Sequence, residues 1–247
     1  NQLMKFLYAP PAPGGVGANK QVIFNDAGTL AGDAGLIYDK VADKLTVGTN
    51  VDIWRGLLND SSTVVVGINS LASTAAGAVG NTSVGYNSGN SLTTGAYNSF
   101  FGNGAGKRVT TGGYATSIGI DSMNGVGAIT GNYNVAVGVN AMASANAVSG
   151  ADNVGIGRSS LIALSSGSFN VGVGAYALRT VTSGVGNAGL GVSAGQSITT
   201  GTDNVAVGDA ALGNNAVACT GNTNIAVGYA AMYSSNNITG SNNIGIG

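Results

Sequence analysis

The stretch Gly191-Val192-Ser193-Ala194-Gly195 has the spacing of a nucleophile elbow, in which a sharp strand-to-helix turn lifts a serine clear of a sheet. Such a serine is a weak nucleophile until a neighbouring base takes its proton. The 247-residue chain contains no His, and all ten of its acidic residues are Asp, so the usual base is missing. Gly189, Gly191 and Ala194 outline a dinucleotide fingerprint but open no helical pattern, and Gly106-Lys107 lacks the rest of a phosphate loop. Cys219 stands alone, which excludes an intrachain disulfide and a cysteine-based zinc site. Asp152 and Asp203 recur at one repeat position but three repeats apart, too far to share an ion, and no calcium-binding G-G-x-G-x-D run is present. These residues predict no catalytic, cofactor or metal site.

Tyr97, Tyr114, Tyr133 and Phe169 occupy that same repeat position, five residues before a recurrent glycine. On adjacent turns of a repeat the tyrosines would form an aromatic strip. One reading is a receptor-facing, sugar-binding surface, because aromatic faces pack on saccharide rings; the other, which we favour, is a stacking ladder that stabilises a corner. Lys107 and Arg108, beside this stretch, are the densest positive spot and the place where an anionic surface polymer could touch. Cys219 is assigned to the loop of the longest repeat step.

The element that must position these residues is a repeat. Eleven copies align on Gly67, Gly85, Gly102, Gly119, Gly138, Gly157, Gly174, Gly191, Gly208, Gly228 and Gly247, in steps of 17 to 20 residues. The residue before this anchor glycine is apolar in every copy, the residue two earlier is mostly β-branched, and the one between them is mostly Ala, Gly or Ser. That alternation is a short strand with bulky side chains on one face and a small one on the other. We expect the bulky face to fill the inside of a coil and the small residue to let another chain approach from outside. Ala or Ser stands three after the anchor, followed by Leu, Met or Gly. A further Gly lies seven before the anchor, from Gly95 to Gly240, and Asn lies four before it in nine copies, among them Asn134, Asn153, Asn170, Asn204 and Asn224. Gly and Asn tolerate the left-handed conformation that corners need, and stacked Asn side chains can hydrogen-bond in a ladder.

Composition agrees with a β-rich repetitive rod. There are 43 Gly and only 8% charged residues, with a net charge of −1. That balance leaves no electrostatic footprint for nucleic acid. A hydrophobic fraction of 44% and a mean hydropathy of +0.25 supply enough apolar surface to escape disorder. Gly does not recur every third residue and Pro is scarce, against collagen. No run of 18 apolar residues predicts a membrane-spanning helix, and residues 1–13 lack the pattern of a signal peptide. The repeats predict an all-β parallel β-solenoid of about eleven coils. Stacked at ~4.8 Å, they would make a rod about 50 Å long.

The first third differs, because residues 1–66 hold eleven of the nineteen charges. Residues 1–19, with Pro10, Pro11 and Pro13, read as a linker or attachment segment. Residues 20–58 read as a small β module with strands at Gln21–Phe24, Gly35–Tyr38 and Lys44–Val47, and 59–247 as the shaft. Trp54, at the junction, is expected to be a core or interface plug.

The run Thr199-Thr200-Gly201-Thr202-Asp203-Asn204-Val205-Ala206-Val207-Gly208-Asp209-Ala210-Ala211-Leu212 resembles the repeat in tail fibres of many bacteriophages. The segment from Gln21 to Tyr38, with Asn25-Asp26-Ala27-Gly28-Thr29-Leu30 at its centre, resembles a β module found near the start of such fibre chains. The Asn-x-Ala-x-Gly core is similar to the head repeats of trimeric autotransporter adhesins, which form left-handed parallel β-rolls packed as homotrimers. Together the likenesses cover about residues 20–247. They imply a left-handed, homotrimeric structural fibre of a virion that joins phage baseplate or tail proteins through its N-terminus and supports host attachment, with a host surface glycan or protein as a further partner. A bacterial surface adhesin or extracellular filament is the alternative; its heads are usually built of shorter repeats and followed by a coiled-coil stalk and a membrane barrel. An acyltransferase on a left-handed β-helix would need a strict six-residue period and a catalytic His. Eleven near-identical coils present nearly the same surface at every level, so residues 67–247 are expected to be a spacer, with receptor recognition elsewhere.

Overall fold

The computed structural model describes residues 62–75, 77–213, 218–233 and 238–247 with their side chains, and the backbone of four strands between residues 20 and 54. Strands β1 (Lys20–Asp26), β2 (Thr29–Asp39), β3 (Lys44–Val47) and β4 (Val51–Trp54) form an antiparallel meander. The three runs expected from sequence fall within β1, β2 and β3, and β4 is an addition. Residues 1–19, the boundary near 58 and the side chain of Trp54 lie outside the described residues.

From β5 (Val64–Val66) to β15 (Ile244–Ile246) the chain makes eleven three-residue strands, one per repeat, each paired in parallel with the next in sequence order. This is a parallel β-solenoid. The pairing keeps the repeat columns in register, with Val154, Gly155 and Ile156 opposite Val171, Gly172 and Val173. The meander joins the same sheet at its N-terminal edge, where Ile53 and Trp54 pair antiparallel with Val66 and Val65.

The expected orientation of the strands is reversed. The central residue of the strand, small in nine of the eleven, points into the coil: Ala136, Ala206 and Ala226 are fully buried. The bulky neighbours face outward, with Phe101, Ile156, Val173 and Leu190 each 36–42% exposed. The reason lies across the coil. The opposite wall sends in Leu71, Met123, Met142, Leu161, Leu178 and Leu212, four residues after the anchor, together with Leu92, Val109, Ile129, Val148, Leu164, Val181 and Ile198. With those side chains filling a thin cross-section, the strand centre is kept small; the first coil, with Val65 opposite Leu71, is the exception. One coil inverts the arrangement and shows the rule. Phe100 stands at the centre of β7 (Ser99–Phe101), and Gly106 replaces the Leu or Met; a β-carbon there would lie 2.3 Å from the Phe100 ring.

Cys219 also departs from expectation. It belongs to the wall rather than to a loop: it is fully buried and bridges in parallel to Ile198 on one side and Ile238 on the other. Burial pushes its thiol pKa up, partly offset by a backbone hydrogen bond at Gly221.

Polar groups inside the coil come in satisfied sets. Where the strand centre is Ser, the residue three after the anchor is Ser as well, so that Ser83 meets Ser88 at 2.6 Å and Ser117 meets Ser122 at 2.6 Å. Where it is Ala, the partner is Ala, as in Ala206 and Ala211. A buried hydroxyl without a partner would cost about 1–3 kcal/mol, which links the two positions.

Candidate functional site

Two ladders run along the shaft, one inside and one outside. The inner ladder is built by the Asn column. Asn153 Nδ2 donates to Asn134 Oδ1 (3.1 Å), and the same bond recurs from Asn170 to Asn153, Asn187 to Asn170, Asn204 to Asn187, Asn224 to Asn204 and Asn243 to Asn224. Each Oδ1 also accepts the backbone N–H of the next Asn, as between Asn204 Oδ1 and Asn224 N at 2.9 Å. Nδ2 reaches onward to the glycine carbonyl of the following coil, from Asn170 to Gly184 at 2.8 Å. The Asn side chains thus bind coil to coil from the interior instead of serving as left-handed corners.

The two glycine columns have different causes. The anchors adopt a left-handed backbone, φ +140° at Gly85, and a β-carbon there would lie 2.3 Å from the Gly102 carbonyl oxygen. The glycines seven before the anchor are needed for close approach: a β-carbon on Gly150 would overlap the Gly167 carbonyl oxygen at 1.8 Å. That carbonyl is an acceptor of the Asn ladder, since Asn153 Nδ2 binds Gly167 O at 2.9 Å.

The outer ladder is aromatic. Tyr97, Tyr114 and Tyr133 all have left-handed backbones (φ 60°, 57° and 58°), which aims the three side chains the same way from successive corners. Their rings stack, with centroids 5.2 Å apart between Tyr97 and Tyr114 and 4.8 Å between Tyr114 and Tyr133. Each is about half exposed. The first ring also packs over Gly80, where a β-carbon would lie 2.6 Å from Tyr97 Cδ1. The strip expected from sequence is therefore a stacked ladder whose internal ring faces cover one another.

Lys107 and Arg108 do not join it. Both are half-buried, and Arg108 Nη2 donates to the Val126 carbonyl at 2.7 Å, which ties down the loop at residues 120–130. That loop packs on the next one, with Val126 N donating to Ser144 O at 3.0 Å. Sequence reasoning missed a different cationic cluster. Arg158 lies 4.7 Å and Arg179 5.5 Å from the centre of the Tyr176 ring. The three sit on two successive coils, and only the coil register brings them together.

Ser193 of the elbow-like pattern sits in a left-handed turn (φ 55°), its N–H donating to Ala175 O at 2.8 Å, and no helix follows among the described residues. Asp152 and Asp203 occupy left-handed corners three coils apart (φ 58° and 56°). Among the described residues no three His, Cys or acidic side chains come together in a way that would hold a metal ion. Comparison with known protein families, with curated proteins and with solved structures finds no match.

Proposed function

We propose that this chain is the shaft of a homotrimeric bacteriophage tail fibre, a structural protein without enzymatic activity that supports host attachment. In this reading the N-terminal segment joins baseplate or tail proteins, and the solenoid provides reach and stiffness.

The observation that carries the reading is the outward face of the solenoid. Val171, Val173, Ile225 and Val227 are 36–38% exposed. The column before the anchor is apolar from the first strand to the last, and the column two earlier is bulky and apolar except at Thr82, Ser99, Thr116 and Ala188. An apolar stripe unbroken along one column and widened by a second over most coils is a surface for another chain. Because every coil repeats it, parallel identical chains in register place like against like at each level, and a three-fold rotation closes the assembly without a free interface. The motive for association is thus bulky apolar columns outside the coil, instead of the small-residue column first assigned to that role.

Multi-angle light scattering of the purified chain tests the assembly. A mass three times that of the chain is expected, and a stable monomer would overturn the reading. Mass spectrometry of intact purified particles tests the biological owner. Peptides of this chain in a virion support a tail fibre, whereas recovery from bacterial surface fractions alone would transfer it to an adhesin or filament.

A further inference from the structure

The aromatic column does not end at Tyr133. Its next members are Asp152, one coil on, and Phe169, two coils on, and all three keep the same backbone, with φ 58°, 58° and 60°. They also keep the same coil-to-coil hydrogen bond: Tyr133 N donates to Gly113 O at 3.0 Å, Asp152 N to Asn132 O at 3.0 Å, and Phe169 N to Ala151 O at 3.1 Å. The corner is therefore one uninterrupted ladder in which a single aromatic rung has been exchanged for a short carboxylate. Two coil steps of about 5 Å separate the corner of Tyr133 from that of Phe169, so the two aromatic residues stand about 10 Å apart along the column with only the short Asp152 side chain between them. Tyr133 is 51% and Phe169 62% exposed, and Asp152 is exposed between them.

We propose that the slot formed by Tyr133, Asp152 and Phe169 is a binding site for a single pyranose ring. Aromatic ring centroids stack favourably at ~4.5–7 Å, and a saccharide ring held midway between two corners ~10 Å apart would lie about 5 Å from each aromatic wall, close enough for its C–H faces to pack on them. A pyranose has the required form, with apolar C–H faces above and below and hydroxyl groups around its edge. The Asp152 carboxylate lies at the level that edge would occupy and accepts hydrogen bonds from hydroxyl donors. Apolar walls with one placed polar group are the usual makeup of a small-ligand site. The upper part of the column offers no such place, because Tyr97, Tyr114 and Tyr133 already fill successive rungs. The site goes beyond the fibre reading and stands on coil geometry alone, whichever particle or cell carries the chain.

Saturation-transfer difference NMR on the full chain, with the methyl β-glycosides of glucose, galactose and N-acetylglucosamine and methyl α-mannoside as probes, tests it. Transfer to the C–H protons of at least one glycoside is expected, reduced at least fivefold by Phe169→Ala and at least threefold by Asp152→Ala. Asp152→Tyr is the decisive variant, because it supplies the missing rung at a corner that already accepts Tyr at the same φ. It should keep the circular dichroism spectrum and thermal midpoint while abolishing transfer. Tyr97→Ala, at the far end of the column, should leave transfer unchanged. No transfer to any of the four glycosides, or transfer that survives Asp152→Tyr, would overturn the proposal. Neither outcome depends on the trimer or on the virion, so a failure here is separable from a failure of the fibre reading.

Discussion

The coils anchored at Gly102, Gly119 and Gly138 and those anchored from Gly157 to Gly247 share one backbone but are tied together differently. The inner Asn ladder runs without a gap from Asn134, in the last coil of the first group, through every later coil to Asn243. In the earlier ones Ala115 stands where Asn would be; its N–H still donates to Asn98 Oδ1 at 2.8 Å, but it has no amide to pass on. The tyrosine stack covers the same three coils, and Tyr114 is the immediate neighbour of Ala115. Coil-to-coil cohesion is thus divided between a buried polar ladder and an exposed aromatic one, and the aromatic ladder lies where the polar one lacks a rung. A repeat tolerates the loss of one column when another column can carry the same axial contact.

The sharpest break in this comparison is between inside and outside. Ala206→Asp would place a carboxylate in the filled interior and should destabilise the chain by about 3–5 kcal/mol, read from denaturant unfolding. Val207→Asp, one residue on but facing outward, should keep the strand signal in circular dichroism and lower the mass seen by light scattering. Equal loss of structure in both variants would mean that the outer face is not an association surface.

Within the continuous ladder, Asn187→Ala removes the Nδ2 bonds to Asn170 Oδ1 and Gly201 O and both bonds that Asn204 donates to Asn187 Oδ1, leaving buried groups unpaired. A loss of about 2–5 kcal/mol is expected by chemical denaturation. Tyr114→Ala removes two ring contacts beside the gap and should cost about 1–3 kcal/mol, whereas Phe169→Ala, outside the stack, should cost clearly less. Restoring the rung with Ala115→Asn should raise stability by about 1 kcal/mol and make Tyr114→Ala cheaper in the double variant. Strictly additive effects would show that the two ladders are independent.

The smallest effect concerns Cys219. Its folded-state pKa is raised, so its contribution is constant below the ordinary thiol value of 9.0, and stability declines as pH climbs past that value. Thiol labelling at pH 8 should be slow in the folded chain and rapid once it is denatured. Fast labelling of folded protein would place Cys219 outside the wall.

Much of this was legible in the residues. The eleven anchor glycines, the Asn column and the aromatic column could be counted from the chain, and a ladder could be expected because identical residues at a fixed step must stack once the coils do. The wall from Leu92 to Cys219 was harder to see. Its members lie seven residues after an anchor in the short repeats but ten or eleven after it in the long ones, as for Leu92 after Gly85 and Cys219 after Gly208. The extra residues are inserted just ahead of the wall, which hides the column and makes Cys219 look like part of a loop.

Which face of each strand is inside was beyond the sequence for a deeper reason. A period of two shows which side chains share a face, not what lies opposite that face. The interior is decided by the volume of the far wall, and residues of that wall are brought across only by the closing of the coil. The same holds for the cluster of Arg158, Tyr176 and Arg179 and for the corner at Asp152: Arg158 is 18 residues from Tyr176, Asp152 is 19 from Tyr133 and 17 from Phe169, and their proximity comes from the coil-to-coil hydrogen bonds. Repetition along the sequence determined that there is a solenoid and where its columns run. Only the tertiary structure decided which columns are core, which are surface, and where one missing rung leaves room for something else.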